Sequence, residues 1–304
     1  MISVIMSTYC EQVEYVEASV QSILNQTYSD FEFIIVIDNP ENIEVIEYVK
    51  KVALADGRIK ILINEKNIGL VASLNKALKS AVGEYVARMD ADDIAFPDRF
   101  EKELQLMKDY DLVASSIKYI DRNGKRVSCS DVCAYGEKAL KKIIRFRNCM
   151  PHPTWLVKKE VYESLNGYRN VKFCEDYDFI LRTEAMGYSI GMCSTPTLKY
   201  RINENGISRS NTFSQFMTSV FLSKNRKRIN NIRLVEIEQF LNHYGTRSNR
   251  MKFNQALELF DRASHETNVL KRICICVTAL TKTYAAMLFF KVIVKEKIIR
   301  TVYS

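Results

Sequence analysis

Two apolar rhythms alternate along the first part of the chain. Ser3–Ser7 is a short run of strand type, after which Val16, Val20, Ile23 and Leu24 recur at helical spacing. Phe31–Ile37 is almost continuously apolar, the pattern of a strand covered on both faces. Ile43–Val52 then predicts a helix, Ile59–Ile63 a strand, Leu70–Ala81 a helix closing near Gly83, and Tyr85–Met89 the next strand. Strands and helices alternating at this spacing predict an α/β fold with a mostly parallel sheet and right-handed crossovers. Beyond Arg99 the rhythm loosens. Phe100–Lys108 and Glu175–Glu184 read as helices and Asp111–Ile117 as a strand, while Asn123-Gly124 marks a hairpin turn between Lys118–Asp121 and Lys125–Ser128. From about residue 211 the strand pattern stops and the remainder reads as helical. The expected organisation is an α/β domain over 1–210 and a helical appendage over 211–304.

In such sheets ligands collect beyond the carboxyl ends of the strands. Thr8-Tyr9, Asp38-Asn39 and Asp90-Ala91-Asp92-Asp93 each follow a predicted strand and so belong to one rim. Three carboxylates within four positions repel one another unless a cation sits among them. Residues two apart in extended chain point the same way, so Asp90 and Asp92 can face one ion. Hard oxygen ligands suit Mg²⁺ or Mn²⁺, ions that share their shell with phosphates. An acidic solvated turn is the alternative. No GxGxxG follows the first strand and no GxxxxGK[ST] occurs, which argues against a dinucleotide-binding dehydrogenase and a P-loop NTPase.

Several motifs in order carry a resemblance. They are Ser3–Glu11, Ser22–Tyr28 with Phe31-Glu32 and Val36-Ile37-Asp38, Asn67-Ile68-Gly69-Leu70, Asp90–Asp93 with Pro97-Asp98-Arg99, and Glu175-Asp176-Tyr177-Asp178 with Leu181-Arg182. Over roughly residues 1–210 the chain resembles the family 2 glycosyltransferases, inverting enzymes of the GT-A fold. The resemblance implies a UDP-sugar donor, with Tyr9 stacking on uracil, Thr8 and Glu11 beside the nucleoside, and Asp38 accepting from the base. For Asp38 a helix N-cap is the other reading. It further implies that Asn67 and Gly69 form a turn under the nucleotide, that Asp90 and Ala91 contact it, and that Asp92 holds the metal with Asp90. Inversion requires one carboxylate base for the acceptor hydroxyl. Asp176, at the start of the helix Asp176–Glu184, takes that role, with Glu175 and Asp178 behind it. His152 lines the acceptor side or packs in its loop. Arg182 and Arg201 are candidate acceptor or phosphate contacts, and Ser208 is a further phosphate neighbour. Trp155 reads as core.

The chain departs from that pattern in three places. Asn39-Pro40 replaces an acid-Gly-Ser run, Leu74 stands where some relatives carry a basic residue, and Asn203 stands where many carry His. Asn is the poorer ligand, so Asp92 and the diphosphate would hold the metal. The rivals are a nucleotidyltransferase and a non-catalytic nucleotide-sugar-binding subunit.

Composition refines the picture. At 304 residues and 47% hydrophobic the chain can bury a large core. Its opening lacks the basic and long apolar regions of a signal peptide. The eight cysteines form no CxxC pair, so thiols in a reducing cytoplasm are expected and a zinc site is not. The charge of +8 is uneven. Residues 211–304 carry 16 Lys/Arg against 6 Asp/Glu, and the residues before them 28 against 30. A basic tail implies an anionic surface as partner, membrane rather than nucleic acid. Met287, Phe290, Val294 and Ile298 form a helical stripe among Lys291, Lys295, Lys297 and Arg300, suited to a membrane interface or to packing on the catalytic domain or a second subunit. The expected acceptor is a glycan or lipid-linked saccharide at the inner face of the cell membrane.

Overall fold

The computed structural model describes residues 1–127, 134–202 and 211–303. Four parallel strands form its first half: β1 (Ile2–Thr8), β2 (Phe31–Ile37), β3 (Ile59–Ile63) and β4 (Tyr85–Asp90). They are joined by α1 (Val13–Leu24), α2 (Ile43–Ala55) and α3 (Leu70–Ser80). The remaining strands are β5 (Ile94–Ala95), β6 (Leu112–Ile120), β7 (Leu156–Lys158) and β8 (Ile190–Arg201), giving the order β3-β2-β1-β4-β7-β6-β8-β5. β7 runs antiparallel to both β4 and β6, so the sheet is mixed beyond β4. The short β5 and β7, and β8 with its register shifts, carry no periodicity long enough to read from sequence.

The apolar run of β2 has the physical origin expected of it. Ile34 and Val36 face one core with Ile5 and Leu74, while Phe33, Ile35 and Ile37 face the other with Val4, Met6 and the buried stripe of α1, Val16, Val20 and Ile23. The sheet therefore separates two cores, and a strand between them is apolar at both parities. Trp155 is fully buried in the first core beside Phe179. Truncating it would cost about 3–5 kcal/mol.

The first half then continues through α4 (Arg99–Leu106), α5 (Glu137–Ile143), α6 (Lys159–Ser164) and α7 (Glu175–Ala185). At Asn123-Gly124 the chain makes the predicted turn, with Gly124 at φ +79° and a bridge between Ile120 and Arg126; Ser128 lies outside the described residues. The tail is α8 (Thr212–Asn225), a 3-10 turn over Arg226–Asn231, α9 (Leu234–Tyr244), α10 (Arg247–His265), α11 (Val269–Leu280) and α12 (Tyr284–Tyr303). No helix among the described residues is long and apolar enough to cross a membrane.

The last helix packs on the catalytic domain, one of the arrangements its sequence allowed. α12 packs Ile299 and Tyr303 on the first core and anchors Glu296 between Tyr135, Arg147 and Arg300. Of its apolar stripe Met287 and Phe290 are half-buried, so only Val294 and Ile298 stay exposed. Cys129 and Cys133 lie outside the described residues; the other six cysteines are free thiols.

Candidate active site

The parallel register makes one rim of four strand ends. Thr8 stands opposite Ile37, Ile37 opposite Ile63, and Ser7 opposite Asp90. Thr8, Asp38, Asn64 and Asp90 thus line up at the carboxyl edge. There the connection from β1 departs toward β2 while β4 lies on its other side, the switch point where α/β sheets bind ligands.

At the first strand end the Glu11 carboxylate accepts from the Thr8 hydroxyl at 2.8 Å and the Tyr9 N–H at 2.6 Å. This tight turn buries Thr8 and presents Tyr9, 45% exposed, as a free ring face. At the second, Asp38 is buried and accepts from the N–H groups of Ile68 and Gly69, each at 2.9 Å, and from Asn64 Nδ2 at 2.8 Å. Asp38 therefore anchors the 64–69 loop. It is not the helix N-cap: five residues separate β2 from α2, and Asn42, the last of them, caps the helix, accepting from Val45 N–H. Asn67 Oδ1 accepts from Gly69 N–H at 2.9 Å, and Gly69 sits at φ +86°, ψ 160°, a region essentially reserved for glycine. Leu74 is core.

At the third strand end lies the acidic turn. Asp90 pairs with the buried Arg88, whose guanidinium also donates to the Met89 carbonyl while its Nε finds no partner. Ala91 turns its methyl into the core, leaving only backbone to a ligand. Burial, with the Asp90 and Glu11 charges, pushes the Asp92 carboxyl up to about 7. Burial and the Asp90 and Asp92 charges raise Asp93 well above the carboxylate range, and its Oδ2 has no partner. Glu11, Asp90, Asp92 and Asp93 thus crowd negative charge that the turn itself does not neutralise.

The opposite wall is the first turn of α7. β7 pairs with β4, the Arg88 N–H donates to the Trp155 carbonyl, and Trp155 packs on Phe179 of α7. That chain of contacts brings Glu175 and Asp176 within reach of the Asp90 charge. Asp176 Oδ2 accepts from Asn148 Nδ2 and Oδ1 from the Tyr177 N–H, both at 2.6 Å. Burial lifts its carboxyl to about 6 against those two donors. Burial and the Asp176 charge lift Glu175 further, to about 8. Near neutral pH the pair holds a single shared charge.

Other candidates lie elsewhere. Asp178 is buried between Arg169 and Arg182, so it is unavailable as a base. Arg182 is spent on Asp178 and on the Leu165 and Gly167 carbonyls, inside the protein rather than at the rim. Arg201 lies over the Tyr15 ring and donates to the Asp92, Asp121 and Arg122 carbonyls, while its backbone N–H holds Asp93. It clamps the acidic turn from behind rather than facing a phosphate. His152 is packed against Trp155 and bonded to the Tyr168 hydroxyl, and burial holds its ring neutral well below the usual imidazole range. Asn203 and Ser208 lie outside the described residues.

Four residues of the site were not singled out from sequence. Arg88 carried a signal: a charge inside an apolar strand, two residues before Asp90 and on its face. Asn64 also follows a strand and bonds Asp38, Ser73 and Lys76. Lys76 and Asn148 had none, since their placement depends on tertiary contacts.

The residues fit a hard divalent cation. All donors at the rim are oxygens, and a positive ion would relieve both the raised Asp92 and the unpaired Asp93 oxygen. Among the described residues no three metal-ligating side chains converge on one point. A cation here would complete its shell with water and phosphate oxygens, as Mg²⁺ and Mn²⁺ do.

Solved structures share this architecture. Staphylococcus aureus TarS residues 1–349 with UDP-GlcNAc superimposes with a TM-score of 0.58 at 21% identity, covering 79% of this chain and 70% of that one. The mannosyltransferase PcManGT of Pyrobaculum calidifontis, with GDP-Man and Mn²⁺, gives a TM-score of 0.58 at 16% identity over 99% of this chain and 86% of that one. The fold is GT-A, with a helical C-terminal region. Residues 3–186 match the model of glycosyl transferase family 2. An uncharacterized glycosyltransferase of Methanocaldococcus jannaschii is 39% identical over 69% of this chain and 74% of its own length. The O-antigen biosynthesis glycosyltransferase WbnJ of Escherichia coli is 36% identical over 69% of this chain and 83% of its own. The chain belongs to the family 2 glycosyltransferases. The nucleotidyltransferase and non-catalytic readings fall with that assignment.

Proposed function

We propose that the protein moves a hexose or N-acetylhexosamine from a UDP-sugar to a glycan or lipid-linked saccharide in bacterial surface-polysaccharide assembly, with inversion. Residues 1–210 serve as the catalytic domain and 211–304 as an appendage. The observation that carries this reading is a buried carboxyl pair, Glu175-Asp176, on the wall across from the Asp90–Asp93 turn. The O-antigen role in the name of WbnJ and the UDP-GlcNAc in the TarS structure support the acceptor and donor classes.

Tyr9 offers its ring to the base, the Asn67–Gly69 turn lies under the nucleotide, and Asp90 and Asp92 face the diphosphate. Asp92, with Asp90, would hold Mn²⁺ or Mg²⁺, which neutralises the charge of the departing UDP. Asp176 accepts the proton of the acceptor hydroxyl as that oxygen bonds the anomeric carbon and the bond from that carbon to the phosphate oxygen breaks. Asn148 and the Tyr177 N–H fix its orientation. Glu175, protonated near neutral pH, can donate to a sugar hydroxyl.

Calorimetry of UDP with Mn²⁺ tests the reading. Wild type should bind the nucleotide only with the cation, and Asp92→Asn should lose that dependence. Unaltered cation-dependent uptake by the variant overturns it. A parallel titration with GDP decides the base.

A further inference from the structure

α11 is a surface helix that packs Ala279 inward and leaves a second apolar face exposed. Val269, Leu270, Ile273 and Val277 are 64%, 76%, 53% and 54% exposed, whereas Ala279 alone of the helix is buried. At 100° per residue these four side chains share an arc of about 100°, with Cys274 at its border. Lys271 and Arg272 stand beyond its two sides, both exposed. Residues 267–295, which span α11 and most of α12, contain no Asp or Glu and carry Lys271, Arg272, Lys282, Lys291 and Lys295. Val294 and Ile298 of α12 add exposed aliphatic surface at 39% and 58%.

We propose that this α11 face seats the enzyme on an anionic phospholipid surface, with the aliphatic arc in the headgroup-acyl boundary and the cations at the phosphates. Charge decides the occupant. A second copy presenting the same acid-free face would set cation against cation, while an anionic bilayer supplies both apolar depth and countercharge. The surface belongs to α11, whose aliphatic arc stays exposed, more than to α12, whose inner face is docked on the catalytic domain. The inference rests on and deepens the proposed lipid-linked acceptor, since it would hold the enzyme at a leaflet that carries one.

Flotation of the full-length protein with vesicles provides the test. Vesicles of equal parts phosphatidylcholine and phosphatidylglycerol should carry wild type upward, and phosphatidylcholine alone should not. L270S/I273S/V277S should lower the bound fraction by on the order of tenfold, and K271E/R272E should weaken binding with a reduced salt dependence. Circular dichroism and cation-dependent UDP uptake, read on each variant, separate this proposal from the catalytic one. Wild-type flotation without UDP binding sinks only the catalytic reading, and UDP binding without flotation sinks only this one. Equal flotation of wild type and the serine variant overturns the proposal, as does a wild-type dimer that the serine variant abolishes.

Discussion

Asp176 meets two opposed demands. A base must be ionised at working pH yet basic enough to take a proton, which favours a pKa near neutrality. Burial and the Asp90 charge push Asp176 up, while Asn148 and the Tyr177 N–H hold it at about 6. The ionised form is the active one, so kcat/KM should be maintained above pH 6 and fall tenfold per unit below it. Asn148→Ala removes a donor to the carboxylate and therefore raises the pKa. The acid limb of the profile should move up by roughly one unit, the size of a charge-assisted hydrogen bond. Asp176→Asn should cut kcat by about 10²–10⁴ while cation-dependent UDP binding stays. A profile that ignores Asn148, or an active Asp176→Asn enzyme, would remove Asp176 from this role. Sequence order pointed to this residue and to the acidic turn, because those carboxylates stand in short local motifs. It ranked Asp176 ahead of Asp178, two positions on, but gave no physical ground to discard the second. Only the fold shows that Asp178 is enclosed by Arg169 and Arg182, with Asn148 facing its neighbour.

Between strand and helix, backbone conformation sets the loops that face the nucleotide. The 64–69 loop hangs from Asp38, and its last residue, Gly69, adopts a conformation that a Cβ disfavours even though the space around it is empty. Gly69→Ala should therefore destabilise by strain alone, by on the order of 1–3 kcal/mol, read as a lower urea midpoint at unchanged slope. UDP affinity should fall with it, because the loop must leave its position to relieve the strain. Wild-type stability in the alanine variant would mean that the loop relaxes freely. The long elements around this loop, β1 to β4 and α1 to α3, were legible in sequence because each carries several helical turns or a run of strand-type apolar residues. β5 and β7 are two and three residues long, and β8 shifts register against β6 along its length, so no periodicity announced them.

At the scale of the whole molecule the question is what fastens the helical tail to the transferase. Part of the answer is Glu296, buried at the inner face of α12. Burial alone would raise its carboxyl, but the Tyr135 hydroxyl and the Arg147 and Arg300 guanidinium groups overcome that and hold it below its ordinary 4.5. Ionised Glu296 thus binds protons less readily folded than unfolded. Its contribution is present above pH 4.5 and is lost as acid protonates it in the folded state. Arg147 and Arg300 are both well exposed, so removing Glu296 strands no buried cation. Glu296→Ala should cost roughly 1–3 kcal/mol, mainly by leaving the Tyr135 hydroxyl without its acceptor. The loss should appear first as local opening of α12 rather than global unfolding. Limited trypsin digestion at pH 7 should cut faster after Lys291, Lys295 and Lys297, with the catalytic body intact and UDP uptake preserved. Unchanged cleavage there would show that Ile299 and Tyr303, packed on the sheet's first core, fasten the tail without help from the charge cluster.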